Sequence, residues 1–196
     1  MAFNTVKVLT THHWNTGLFS FSVERPTSFR FVSGQFVMLG LMVNGKPLLR
    51  AYSIVSPFWE ESLEFLSIII PDGPLTSHLY KIKPGDEMLL GEKPTGTLTM
   101  DALIPGKRLH MIGTGTGLAP WISIIRDPGV YERFEHITVQ HTVRQVEDLA
   151  YRDLLESKLA SDPLVAEEAK QQLTYDQSVT KCPTWTQENR RITDRI

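Results

Sequence analysis

Two short strings in this chain gather side chains that can do chemistry. Arg50-Ala51-Tyr52-Ser53 places a guanidinium, a flat phenol and a hydroxyl within four residues, at the end of a predicted strand and before a Ser56-Pro57 turn. A guanidinium makes charge-assisted bonds to anionic oxygens, and a tyrosine offers an apolar face with a polar tip. Taken alone, such a string is more often structural, with a solvated arginine and a core tyrosine. The second string is Gly113-Thr114-Gly115-Thr116-Gly117-Leu118-Ala119-Pro120. Glycines let a backbone come close to a pyrophosphate and aim N–H groups at it, and a following helix adds its positive end. The spacing is not G-x-G-x-x-G, so the generic dinucleotide motif does not license the assignment. A purely structural turn is the alternative, but three alternating glycines between strand and helix are costly without a reason.

The elements that must position these strings fall into two patterns. From Val6 to about Leu98 the chain reads as short strands broken by turn residues, with alternation in Phe19, Phe21 and Val23 and again in Phe36, Met38 and Leu41. This is the signature of a β-barrel or sandwich. Asn44-Gly45 marks a hairpin, because both residues readily take the positive φ of a type I′ turn, and Leu48 to Ile54 should pair across it. Leu63 to Ile70 is almost continuously apolar, as in a strand buried on both faces or covered on one by a ligand, and Pro71-Asp72-Gly73-Pro74 ends it. After Asp101 the period changes to strand, glycine loop and helix: Leu109 to Ile112, then a helix from Leu118 to about Ile125. A strand at His136 to Val143 follows, then an amphipathic helix predicted over Val146 to Ala160 with Leu149, Leu154, Leu155 and Leu159 on its apolar face, then a strand near Leu173 to Thr180. Such alternation implies a parallel sheet with right-handed crossovers. The division falls near Pro105-Gly106-Lys107, giving domains 1–104 and 105–196.

Composition narrows the classes. A length of 196 residues and a net charge of −2 fit an ordinary globular protein and give no argument for nucleic acid. The one cysteine, Cys182, cannot form an internal disulfide, and no Cys/His cluster has zinc or iron–sulfur spacing, so redox chemistry would need an organic cofactor or a partner. No stretch approaches the ~18 uninterrupted apolar residues of a membrane span, and the N-terminus lacks a signal-peptide pattern; the expected location is cytoplasmic.

Arg50-Ala51-Tyr52-Ser53 resembles the Arg-x-Tyr-Ser signature of the ferredoxin–NADP reductase superfamily. The resemblance continues in order through Phe31 to Gly40, Asp72-Gly73-Pro74-Leu75-Thr76-Ser77-His78-Leu79, Lys93-Pro94-Thr95-Gly96-Thr97-Leu98, the glycine loop and Tyr151-Arg152-Asp153. An ordered set is far more specific than any one motif, and it points to the bacterial-type ferredoxin (flavodoxin) NADP reductases. The fold so implied has two domains: an antiparallel FAD-binding β-barrel, then a Rossmann-like parallel α/β domain for NADP(H).

The resemblance also implies roles. Arg50 would pair with the FAD pyrophosphate, Tyr52 would pack on the flavin, and Ser53 would bond near the reactive flavin nitrogen; Tyr52 and Ser53 are the candidate catalytic residues, with Ala51 beside them. Leu75, Thr76 and Ser77 would hold the pyrophosphate at a short helix start, though a plain helix N-cap is the bland reading. Ile68, Ile69 and Ile70 would line the flavin or adenine side. Gly115, Thr116 and Gly117 would take NADP, with Thr116 near both flavin and nicotinamide. NADP needs cations where an NAD enzyme often has a carboxylate at the second strand's end, and here that strand ends in Arg144. Lys181 and Arg191 match further cations of related reductases, Lys181 standing where an arginine is usual.

The activity implied is hydride transfer from NADPH to FAD followed by single-electron steps to ferredoxin or flavodoxin, by a monomer if intact. A reductase component for an oxygenase or haem partner is an alternative. Family members continue past the position of Ile196, with further strands, a Cys-Gly-Ser-Pro-type motif and a tail. A truncated flavin-binding fragment without turnover is therefore the third reading, and its incomplete sheet would expose an apolar edge.

Overall fold

The computed structural model describes residues 2–182. Six strands form one antiparallel sheet: β1 (Phe3–Asn15), β2 (Leu18–Glu24), β3 (Phe36–Val43), β4 (Lys46–Ser53), β5 (Ser62–Ile68) and β6 (Glu87–Gly91). Their order is β4-β3-β6-β1-β2-β5. An Ile54↔Phe65 bridge brings the two edges together, so the sheet curls into a barrel. Asn44 and Gly45 hold φ of 51° and 73°, and Val43 pairs with Lys46, which is the tight hairpin that the sequence implies.

The barrel's interior is filled by Phe19, Phe21, Val23, Val37, Leu39, Leu63, Phe65, Met88 and Leu90. On β3 the inward face is therefore Val37 and Leu39, whereas Phe36 and Met38 are only half-buried on the outer face. Apolar residues on both faces leave the period unable to choose. In β2 the serines between the apolar residues are buried as well: Ser22 meets Thr10 at 2.6 Å, and Ser20 bonds into a Glu64–Tyr151 pair.

After α1 (Thr76–Leu79) and β6, the chain enters a parallel sheet of β7 (Arg108–Thr114), β8 (His136–Val143) and β9 (Leu173–Val179), in that order. Helices α2 (Ala119–Ile125), α3 (Pro128–Arg133), α4 (Arg152–Glu156) and α5 (Ala166–Gln172) connect its strands. Pro128 at the first position and Asp127, whose carboxylate accepts the Gly129 N–H at 3.0 Å, start α3. α3 and α5 add to the elements expected from the sequence.

The helix predicted over Val146 to Ala160 does not run through. A 3₁₀ turn at Val146–Asp148 is followed by Tyr151 at φ 58°, then α4, then Lys158 and Leu159 at φ 51° and 57°. Tertiary contacts enforce the break: the Tyr151 ring lies 4.8 Å from Trp14, and its hydroxyl donates to Glu64 Oε1 at 2.7 Å. Leu149, Leu155 and Leu159 are still buried, so the apolar spacing was informative although the helix was not continuous.

The outer edge of β7 carries no strand among the described residues. Its exposed side chains are Arg108, His110, Ile112 and Thr114.

The two sheets share a core. Leu18, Val55 and Leu66 of the barrel pack into the cluster formed by Met111, Ile122, Ile125 and Val139 of the other half. Polar contacts lock the junction: Arg126 bridges Glu60 and Asp162, each at 2.7 Å, Trp59 Nε1 donates to the Arg126 carbonyl, and Ser123 donates to the Ser56 carbonyl. Burial opposes the Arg126 charge, but the carboxylates more than compensate and hold it firmly protonated.

Candidate functional site

β4 ends where the barrel meets the glycine loop, and there a cleft of about 350 Å³ opens. Arg50, Ala51, Tyr52 and Ser53 line it from β4, Leu66, Ser67 and Ile68 from β5, Thr76 from α1, and Thr116, Gly117 and Ala119 from the loop and α2. Strand geometry explains the set, since successive residues at a strand end expose both backbone faces and side chains to an approaching ligand.

The Tyr52 ring is oriented from two sides. Phe65 meets it edge-on at 6.4 Å, and its hydroxyl lies 3.3 Å from Ser67 Oγ. Ser67 donates to the Ile68 carbonyl at 3.1 Å, so its oxygen accepts from Tyr52. Burial raises the Tyr52 pKa, against weaker pulls from Ser67 and Arg50, and keeps the phenol neutral. Arg50 is exposed and bonds only the Leu49 carbonyl, at 2.8 Å, with no ion pair among the described residues. The Ser53 hydroxyl has no protein partner there either. A cation, an oriented phenol and an unused hydroxyl thus face one space.

Other residues predicted for this site are placed differently. Ile68 lines the cleft, but Ile69 packs on the barrel core, and Ile70 is exposed away from the lining. The Leu75 side chain is buried in the barrel core. Thr76 Oγ1 donates to the Ile70 carbonyl at 2.9 Å, and the Ser77 N–H to the Gly73 carbonyl at 3.1 Å, so both close the turn first. α1 is only four residues long, too short for more than a local dipole.

A second cleft, of about 550 Å³, adjoins the first. Thr114, Gly115, Thr116, Thr142, Val143, Arg144, Asp148 and Thr180 line it from the parallel sheet, and Gly17, Leu18 and Ile68 from the barrel. Thr116 and Ile68 belong to both clefts, which makes them the junction. Gly115 holds φ 51°, a left-handed value that favours glycine. At Gly117 the φ is not in the left-handed region and a Cβ would meet no atom among the described residues, so the backbone is open toward the first cleft, which it lines.

Arg144 forms no ion pair among the described residues. Asp148 faces the same space, but its carboxylate is engaged: Oδ1 accepts from Asn15 Nδ2 at 2.9 Å and Oδ2 from the Gln145 N–H at 3.1 Å. Asn15 also donates to the Glu147 carbonyl and accepts the Gly17 N–H, so the β1–β2 hairpin clamps the rim of the cleft. The Lys181 N–H donates to the Arg144 carbonyl at 2.9 Å, but its side chain is not part of the lining. Arg191 lies outside the described residues.

Asn15, Ser67 and Asp148 are not among the residues predicted from the sequence. Ser67 had a signal, as the polar interruption in the apolar run Leu63 to Ile70. The others became visible only through contacts distant in sequence. Among the described residues no helix is long and apolar enough to cross a membrane, and no cluster of His, Cys, Asp and Glu could hold a metal.

Comparison with known proteins agrees with this geometry. Residues 5–100 match the oxidoreductase FAD-binding domain family and residues 111–196 the oxidoreductase NAD-binding domain family. The chain is 53% identical to a ferredoxin–NADP reductase of Azotobacter vinelandii, over 91% of this chain and 69% of that protein. It is 49% identical to a flavodoxin/ferredoxin–NADP reductase of Rhodobacter capsulatus, over 96% of this chain and 70% of that one. A crystal structure of a ferredoxin NADP+ reductase from Neisseria gonorrhoeae, with bound FAD and NADP, superposes with a TM-score of 0.89 at 30% identity, covering 99% of this chain and 75% of the other.

Proposed function

This chain belongs to the ferredoxin–NADP reductase family, and from that premise we propose how its two clefts divide the work, with residues 1–104 carrying the flavin and 105–196 the nicotinamide nucleotide. The protein is an oxidoreductase whose cofactors are FAD and NADP(H). The observation that carries the assignment of sites is the meeting of the clefts at Thr116 and Ile68, since hydride transfer needs two cofactor rings in contact.

When bound, FAD would supply the chemistry of taking two electrons as a hydride from NADPH and giving them up singly. The chain's own residues bind and orient. Arg50 is the phosphate cation of the first cleft, Tyr52 presents its ring face, held by Phe65 and Ser67, and Ser53 offers its free hydroxyl to a ring nitrogen. Ala51 and Thr76 complete that wall. In the second cleft Gly115, Thr116 and Gly117 present backbone to a pyrophosphate, and Arg144 receives the 2′-phosphate that distinguishes NADP from NAD. Asn15 supports this choice by keeping the Asp148 carboxylate occupied. Lys181 adds positive charge from outside the lining, and Arg191 would add a further cation. The one-electron partner is a ferredoxin or flavodoxin, and the protein acts as a cytoplasmic monomer.

The purified protein should show a flavin spectrum that bleaches anaerobically with NADPH much faster than with NADH. Adding oxidised flavodoxin or ferredoxin should restore the colour. Absence of flavin, or equal rates with the two nucleotides, would overturn the reading.

A further inference from the structure

Beneath the glycine loop lies a histidine for which the reading above has no use. His141 is fully buried in β8, on the face that carries Ile137 and Val139 into the core. Its Nε2 lies 3.0 Å from the Gly115 carbonyl oxygen and its Nδ1 3.3 Å from the Tyr175 hydroxyl. A carbonyl only accepts, so Nε2 carries the hydrogen; in the neutral ring Nδ1 is then the acceptor, and Tyr175 donates to it. The two bonds fix both the tautomer and the tilt of the ring. They also connect three strands: Tyr175 stands on β9, His141 on β8 opposite Gly113 of β7, and Gly115 just past the end of β7.

Peptide geometry turns this into a statement about the cleft. The Gly115 carbonyl and the Thr116 N–H share one trans peptide plane and point in opposite directions. Holding the carbonyl down on His141 therefore aims the Thr116 N–H away from the sheet, on the side where Thr116 lines both clefts. The turn that follows has no side-chain cap of its own, and Gly115 at φ 51° has no Cβ to restrict rotation of that plane. His141 adds a side-chain restraint to the turn's own backbone bonds and ties the plane to β8.

We propose that His141, oriented by Tyr175, is a positioning residue that locks the Gly115–Thr116 peptide and so sets the grip of the glycine loop on NADP(H). The inference rests on the assignment of this loop to the nucleotide. The ring touches neither cofactor; it acts through the Gly115 carbonyl.

The test is NADP+ binding rather than turnover, followed by the flavin difference spectrum of the FAD-loaded protein, together with the ¹⁵N NMR signature of His141. The wild-type ring should show the Nε2–H tautomer. His141→Leu should weaken NADP+ binding about tenfold, by removing the side-chain donor that orients the Gly115 carbonyl, while FAD content is kept. His141→Gln, whose amide can still donate to that carbonyl, should restore binding to within about twofold of wild type. Tyr175→Phe should weaken binding roughly threefold, while the Gly115 carbonyl still keeps the hydrogen on Nε2. An Nδ1–H tautomer in the wild type, unchanged NADP+ affinity in His141→Leu, or equal losses in His141→Leu and His141→Gln would each overturn the proposal. If His141→Leu fails to fold, Tyr175→Phe decides: unchanged NADP+ affinity overturns it. A wild-type protein with the Nε2–H tautomer and bound FAD that binds no NADP+ would instead remove the nucleotide assignment on which the proposal stands.

Discussion

In the cleft on the barrel, four of the lining residues are consecutive in sequence, Arg50 to Ser53, and β5 beside them supplies three more. In the cleft on the parallel sheet, the lining comes from the ends of β7, β8 and β9, from the Asp148 turn, and from Gly17, Leu18 and Ile68 of the barrel. The first site is mainly the property of one sheet and its end. Each cleft also takes a smaller wall from the other half: Thr116, Gly117 and Ala119 close the first, and Gly17, Leu18 and Ile68 the second. A site carried mainly by one run of residues depends on local register, whereas a site drawn from three strand ends and a turn depends on how those elements pack.

Arg126→Met should have the largest effect. It leaves Asp162, whose side chain is 1% exposed, and Glu60 without their shared cation, and breaking a buried pair of this kind costs about 3–5 kcal/mol. Urea unfolding should register the loss, and titrations of the folded variant should show NADP+ affinity falling more than FAD affinity. Equal losses at both sites would break the comparison.

Arg50→Ala and Arg144→Ala come next and should separate cleanly. Removing a charge-assisted phosphate contact should weaken FAD retention about tenfold in Arg50→Ala, with the NADPH-over-NADH preference intact. Arg144→Ala should cut that preference by about tenfold or more, with FAD retained. Flavin content after gel filtration and the two nucleotide reduction rates measure these outcomes.

The smallest effects are in pH dependence, and the two regions should differ in sign. Glu64, at the junction, has its pKa raised by burial, against the bond from Tyr151. Its folded form binds a proton more readily than its unfolded form, so its contribution is present at low pH and is lost as pH rises through the raised value. His141 is the reverse: burial, against the Gly115 bond and Asp148, lowers its pKa from 6.5 to about 4. Its contribution is complete above about 6.5 and is lost as pH falls from there toward about 4. Melting temperatures of wild type, Glu64→Gln and His141→Gln across this range test both signs. Glu64→Gln should abolish a loss on the alkaline side, and His141→Gln a loss on the acid side.

Much of this was legible in the linear sequence. Arg50-Ala51-Tyr52-Ser53 needed only the strand that carries it, and Asn44-Gly45 needed only its own φ preferences. The limits of β8 followed from a run of residues bounded by turns. Which face of β3 meets the core could not be read from the sequence, because Phe36, Val37, Met38 and Leu39 are all apolar and alternation holds no information there. The predicted helix from Val146 was broken by Trp14 and Glu64, residues more than eighty positions away, which hold Tyr151 in a left-handed conformation at a cost that local propensity would not accept.

The sequence by itself determined which residue types were available: a cation, a phenol and a hydroxyl at one strand end, glycines with positive φ or open space after another, and Arg144 at a third. Those are local properties, governed by neighbours in the chain and by backbone sterics. Only the tertiary structure decided that Thr116 and Ile68 join the two clefts, that Asn15 restrains Asp148, that Ile70 and Leu75 stand outside the lining, and that His141 lies under Gly115. Two of these are hydrogen bonds of about 3 Å between residues far apart in sequence, the others follow from which side chains the core takes up, and all are created by packing two sheets on one core.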